Sequence, residues 1–311
     1  MRAFIFPGQG SQAVGMGQAL SEASAAAREV FGEVDEALGQ HLARLMAEGP
    51  ADELTLTENA QPAIMANAIA TLRVLEKEGG VRLADKAEFV AGHSLGEYTA
   101  LCAADALALA ETARLLRIRG QAMQAAVPVG EGAMAALLGL DFETVRQIAA
   151  DAAEGEVCTA ANDNAPGQVV VSGNKAAVER AVELAKERGG KRAMLLPVSA
   201  PFHCALMEPA ARAMEKALAG ADLRAPLVPV YANVTAAPVS DPAAIRALLV
   251  EQVTGTVRWR ESVEAMVAAG VTEFVEFGGK VLAGMIKRIA PDAATTSVVT
   301  MDDIEALAKR L

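Results

Sequence analysis

Short runs of continuous apolar residues, each followed by a long helical pattern, constrain this 311-residue chain most. The runs are Arg2–Phe6, Glu88–Gly92, Val228–Asn233 and Thr272–Phe277; the helical patterns include Ala25–Leu38, Pro62–Glu78, Leu95–Met123, Ala205–Ala219 and Ser262–Ala269. A strand with no polar alternation has no face to give to water. Repeated strand–helix units of that kind predict a parallel sheet covered by helices on both sides, an α/β fold.

The middle of the chain keeps a different rhythm. Ala133–Leu140 reads as a strand and Phe142–Ala153 as a helix. Glu156–Ala161 and Gln168–Ser172 read as a hairpin turning through Asn162–Gly167, and Lys175–Arg188 as a second helix stopped by Gly189-Gly190. Ala193–Val198 closes the set as a strand. The order βαββαβ is the ferredoxin-like unit. Residues 128–199 are therefore expected to form a small domain inserted into a larger one made of 1–127 and 200–311.

Composition excludes several classes. A net charge of −11 repels phosphate backbones, so nucleic acid is not expected as a partner. Three scattered cysteines, Cys102, Cys158 and Cys204, give neither a disulfide framework nor metal-ligand spacing; they suit a reducing, cytoplasmic setting. The opening MRAFIFPGQG reads as a first buried strand, and no stretch is long and apolar enough to predict a membrane helix.

The strongest chemical signal is Gly92-His93-Ser94-Leu95-Gly96, between a strand and a helix. That is the context of a nucleophile elbow, whose turn is too tight for side chains on either side of the serine. A glycine-flanked helix cap is the plainer alternative. A serine nucleophile needs a base, and the chain has only three histidines. His41 sits in a polar helical stretch, and His93 adjoins Ser94 in a turn where neighbours diverge. His203 lies where a strand gives way to a helix, the end of an α/β sheet at which ligands gather, so elimination selects it. Gly8-Gln9-Gly10-Ser11-Gln12-Ala13 satisfies a dinucleotide fingerprint, but the region about 20 residues on is helical and polar rather than a strand ending in an acid. Exposed N–H groups there would suit an oxyanion hole instead. Spacing alone makes Arg119 a basic residue near a helix C-terminus.

FPGQGSQ, TENAQPAIM, GHSLGEYTAL, RIRGQAMQ, GAMAALLGL, NDNAPGQVVVSG, LPVSAPFHCALM and YANVTAAPV, in this order along nearly the whole chain, resemble the malonyl-CoA:acyl carrier protein transacylase family. One departure is Phe277-Gly278-Gly279-Lys280, where the family pattern has a GPG-type turn. The resemblance implies an α/β-hydrolase-like large domain with the ferredoxin-like insertion, Ser94 as nucleophile and His203 as base. It implies an oxyanion hole from the backbone N–H groups of Gln9 and Leu95. Arg119 would hold the malonyl carboxylate, and the Gln252 main-chain carbonyl would orient the histidine. Met123, Asn162 and Phe202 would line the pocket, Phe202 crowding any methyl group added to malonyl. The implied reaction passes malonyl from malonyl-CoA to the phosphopantetheine thiol of acyl carrier protein, for fatty acid or polyketide synthesis. It calls for no metal and no tightly bound cofactor, and a monomer is expected. Lys186, Arg188, Lys191 and Arg192, or Lys280, Lys287 and Arg288, are the basic clusters that could receive an acidic carrier protein. A serine thioesterase or esterase, an acyltransferase for another acyl-CoA, and a non-catalytic carrier-protein module remain the alternatives.

Overall fold

A computed structural model describes all 311 residues. Its strands are β1 (Arg2–Phe6), β2 (Phe89–Gly92), β3 (Gly132–Leu138), β4 (Cys158–Ala165), β5 (Gln168–Asn174), β6 (Arg192–Leu195), β7 (Val230–Ala232), β8 (Ala237–Val239), β9 (Glu273–Phe277) and β10 (Ala294–Val298). One sheet runs β10-β9-β1-β2-β7-β8, parallel throughout except for β8 at its edge. The apolar runs supply its middle four strands, and both faces are indeed covered. Phe4 and Phe6 of β1 pack with Phe277 in the core on one face; Ala3 and Ile5 join Trp259 and Phe274 on the other. No helix is long and apolar enough to cross a membrane.

The second sheet, β4-β5-β3-β6, is antiparallel at every pairing. With helices Phe142–Ala153 and Lys175–Glu187 it realises the βαββαβ order, and the two helices bury Val145, Ile148, Val178 and Val182 in a core of their own. The expected turn at Asn162–Gly167 shrinks to Pro166-Gly167, since β4 runs on to Ala165. Asn162 and Asp163 are strand residues because the larger sheet's side of the molecule docks on them. Asp163 N–H donates to the Val257 carbonyl at 2.9 Å and its buried carboxylate pairs with Arg260 at 2.8 Å. A polar pair that looks like a turn in sequence is thus an interface in three dimensions.

Two helix boundaries differ from expectation in ways that matter to the site. The helix expected from Pro62 begins at Thr57, which brings Thr57 and Gln61 into regular structure one turn earlier. The single helix expected over Leu95–Met123 is two helices, Gly96–Ala103 and Leu109–Ala125. Between them Asp105 adopts φ 57°, a left-handed conformation that aspartate tolerates better than most residues. An unbroken helix would carry Arg119 about 37 Å from Ser94. The break turns the chain back, and the two side chains meet.

A β-branched residue at Asp105 should strain this turn. Asp105→Val is expected to lower unfolding stability in urea by about 1–2 kcal/mol, with Asp105→Gly within about 1 kcal/mol of the parent. Equal effects from both would mean that backbone conformation does not set the cost.

Candidate active site

β2 delivers the chain into a turn in which Ser94 takes φ 54°. Neither flanking glycine admits a side chain: a Cβ on Gly92 would lie 1.8 Å from the Gly96 carbonyl oxygen, and one on Gly96 lies 2.3 Å from that of Phe6. Asn233, just past β7, braces the turn from the neighbouring strand. Its Oδ1 accepts the Ser94 N–H at 2.9 Å, and its Nδ2 donates to the Gly92 carbonyl at 2.8 Å.

Ser94 Oγ stands 2.8 Å from His203 Nε2, and His203 Nδ1 stands 2.9 Å from the Gln252 carbonyl oxygen. A carbonyl can only accept, so Nδ1 carries the proton and Nε2 is free to accept one from the serine. His203 is buried and also left-handed, at φ 57°. Burial, reinforced by the positive charge of Arg119, depresses its pKa from 6.5 to about 3. His93 turns away from Ser94, its Nε2 lying 2.7 Å from Asn164 Oδ1, and His41 is exposed at the head of helix Leu42–Glu48.

Arg119 is the charged centre of the site and is 1% exposed. Nη1 donates to Gln61 Oε1 at 2.8 Å; Nη2 donates to Ser94 Oγ at 3.1 Å and Gln252 Oε1 at 2.9 Å. Every acceptor is neutral, Nε has no partner, and the Tyr98 ring lies 5.7 Å from the guanidinium carbon. Such a cation is poorly compensated, and an anion offers what its neighbours do not.

A cavity of about 400 Å³ opens in front of these groups, lined by Gln9, Ser94, Leu95, Arg119, Met123, Asn162, Phe202 and His203. Gln252, fully buried, lies behind it. The backbone N–H groups of Gln9 and Leu95 donate to no protein acceptor, whereas that of Ser94 is taken by Asn233. Leu95 also heads the helix Gly96–Ala103, where the backbone dipoles favour negative charge. The structure therefore gathers eight of the nine candidate residues around one cavity and puts the ninth, Gln252, directly behind His203.

Sequence reasoning assigned no role to Gln61, Glu97 or Asn233. Each is a polar residue buried in an otherwise apolar setting, which was the available signal.

A parallel α/β sheet that presents a serine on a glycine-walled elbow, against a neutral histidine, defines a serine-ester-forming enzyme of the hydrolase or acyltransferase class. The chain belongs to the acyl transferase domain family, whose profile matches residues 3–289. It is 47% identical over 305 residues to the malonyl CoA-acyl carrier protein transacylase of Bacillus subtilis, covering 97% of this chain and 95% of that one. Its fold superposes with a TM-score of 0.97 on the acyl-carrier-protein-S-malonyltransferase of Bartonella henselae, at 56% identity over 99% and 98% of the two chains. A malonyl-transacylase solved in complex with its type II PKS acyl-carrier protein gives a TM-score of 0.96 at 40% identity, over 100% of this chain and 99% of that one.

With its pKa held near 3, His203 should stay neutral far below the usual histidine range. Nitrogen-15 histidine spectra are expected to keep the neutral Nδ1–H pattern at His203 from neutrality down to about pH 5; a midpoint near its ordinary 6.5 would contradict this. The unfolded chain takes that proton first, so this residue's contribution to stability declines as pH falls from 6.5 towards 3.

Proposed function

We propose that this chain transfers malonyl from malonyl-CoA to the thiol of holo acyl carrier protein, through a malonyl ester on Ser94. The observation that carries the reading is Arg119, a buried cation with only neutral acceptors, 3.1 Å from the serine hydroxyl. A planar guanidinium can grip a carboxylate through two parallel hydrogen bonds, and that carboxylate is what separates malonyl from acetyl. Met123, Asn162 and Phe202 close the cavity around the acyl group, and the bulk of Phe202 favours malonyl over a methyl-branched acid.

In the first half-reaction Ser94 Oγ attacks the thioester carbon while His203 Nε2 takes its proton. The N–H groups of Gln9 and Leu95 hold the tetrahedral oxyanion. The carbon–sulfur bond breaks, coenzyme A leaves with the proton returned by His203, and the serine ester remains. In the second half the phosphopantetheine thiol gives its proton to His203 and attacks the ester; Ser94 Oγ leaves and takes that proton back. A single chain holds every group used, which suits a monomer. Residues 128–199 act as the inserted domain on the catalytic one, and the product serves fatty acid or polyketide synthesis. The free, buried thiols of Cys102, Cys158 and Cys204 fit a cytoplasmic setting.

Mixing with malonyl-CoA alone should add one malonyl group in the intact mass spectrum, mapped to the Ser94 peptide. Labelling that persists in Ser94→Ala would overturn the assignment.

Arg119→Ala should cost malonyl transfer while acetyl transfer holds or rises, a preference change of about 100-fold or more. Arg119→Lys restores only part, since an ammonium keeps charge but not the two-pronged geometry. Equal losses in kcat/KM for both substrates would make Arg119 a structural residue.

For carrier docking we propose the second basic cluster, which lies beside the cavity. In the first, Lys186 and Arg188 are already paired with Glu183 and Asp151, leaving exposed Lys191 and Arg192, whereas exposed Lys280 and Lys287 of the second flank Leu282 and Met285 of the cavity wall. Lys280→Glu with Lys287→Glu should raise KM for acyl carrier protein and leave Ser94 acylation unchanged. An unchanged KM would direct the search elsewhere.

A further inference from the structure

Glu97 is 1% exposed and none of the steps above uses it. It stands in the first turn of helix Gly96–Ala103. Its Oε2 accepts the Gln252 Nε2–H at 2.8 Å and the Asn233 backbone N–H at 3.1 Å. We propose that Glu97 is a positioning residue for malonyl selectivity: its carboxylate fixes the Gln252 side chain, and Gln252 in turn holds Arg119 in place. This deepens the reading of Arg119 as the partner of the malonyl carboxylate and rests on it.

The orientation of the Gln252 amide couples the two side chains. Gln252 lies between a guanidinium, which only donates, and Glu97 Oε2, an oxygen that already accepts the Asn233 backbone N–H. Its Oε1 accepts from Arg119 Nη2 at 2.9 Å. Its Nε2 faces three acceptors: Glu97 Oε2, the Ser94 carbonyl at 3.0 Å and Asn233 Oδ1 at 3.2 Å. A flipped amide would set donor against donor at Arg119 and oxygen against oxygen at the other three. Of those three acceptors only Glu97 can carry a full charge, and it makes the shortest contact, so it does most to fix the orientation. Burial pushes its pKa up to about 7, against the opposing effects of the Asn233 and Gln252 hydrogen bonds and the Arg119 charge.

Arg119 has few other supports. Gln61 holds Nη1, the Tyr98 ring lies 5.7 Å from the guanidinium carbon, and Ser94 Oγ, the remaining hydrogen-bond partner, is the reacting atom. Loss of the Gln252 contact would leave Nη2 tied to the nucleophile alone. Because the Gln252 main-chain carbonyl also orients His203, the same residue serves the base through its backbone and selectivity through its side chain. Changes at Glu97 should reach the side chain and spare the backbone contact.

The test is kcat/KM for acylation by malonyl-CoA and by acetyl-CoA in Glu97→Ala, Glu97→Gln, Gln252→Leu and Arg119→Ala. Glu97→Ala and Gln252→Leu should each lower the malonyl-to-acetyl ratio by about 10-fold, the scale of one hydrogen bond to a charged group. Glu97→Gln, whose amide oxygen can still accept from Gln252 and Asn233, should regain most of the ratio lost in Glu97→Ala. Losses that are equal for both substrates would show a merely structural role and overturn the proposal, as would a glutamine variant no better than alanine. If Glu97→Ala does not fold, Gln252→Leu decides, and a parental ratio there sinks the idea. A ratio unmoved in Arg119→Ala would remove the reading beneath it. A ratio moved in Arg119→Ala alone would overturn this inference and leave that reading standing.

Discussion

The site is organised around one costly fact, a guanidinium taken almost wholly out of water. Burying a cation without a direct counter-ion is tolerable only if its hydrogen bonds are met and some charge balance lies within reach. Gln61, Gln252 and the Ser94 hydroxyl supply the hydrogen bonds, and one residue further out, through Gln252, lies the acidic group of Glu97, whose pKa burial pushes up to about 7. The same cation helps keep His203 neutral, the form in which it can accept a proton. On the proposed reading, recognition and base strength therefore share a source. A neighbouring carboxylate bonded directly to Arg119 would ease its burial, but would occupy the groups that an acyl carboxylate needs.

Everything that surrounds Arg119 depends on backbone turns with almost no steric margin. The left-handed Ser94 turn is possible because Gly92 and Gly96 leave room for backbone atoms that a Cβ at either position would strike. The parallel sheet sets the frame, since β1 and β7 flank β2 and bring the Gln9 loop and Asn233 to either side of the elbow. Core packing on both faces of that sheet holds these loops to a geometry they could not keep alone.

What the sequence shows clearly is what local patterning controls. Apolar runs such as Phe4-Ile5-Phe6 disclose buried strands, and the glycines around Ser94 disclose the elbow, because both depend on near neighbours in the chain. The alternating small unit is legible for the same reason. What it hides depends on distant contacts. Ala104 to Ala108 contains no glycine or proline, so the helix break that returns Arg119 to Ser94 leaves no local mark. From spacing alone Arg119 reads as a helix-end residue, and an unbroken helix would have kept it one. Asn162 and Asp163 resemble a turn until Val257 and Arg260 pair with them. The role of Glu97 is hidden more deeply, because it acts on Arg119 only through the amide of Gln252, 155 residues further along the chain.

The use of a main-chain carbonyl to hold His203 follows from the same charge balance. A carboxylate in that position would also fix the Nδ1–H tautomer, and would stabilise the imidazolium that forms as the serine attacks. Here it would also lie close to Arg119, since the Gln252 residue that provides the carbonyl touches the guanidinium through its side chain. The two opposite charges would pair, and an incoming acyl carboxylate would have to compete with that pair for the same N–H groups. A neutral carbonyl orients the ring without drawing on the cation. The site gives up some stabilisation of the imidazolium and keeps an arginine whose charge is free for the substrate. On the roles proposed for Arg119 and His203, that exchange favours selectivity.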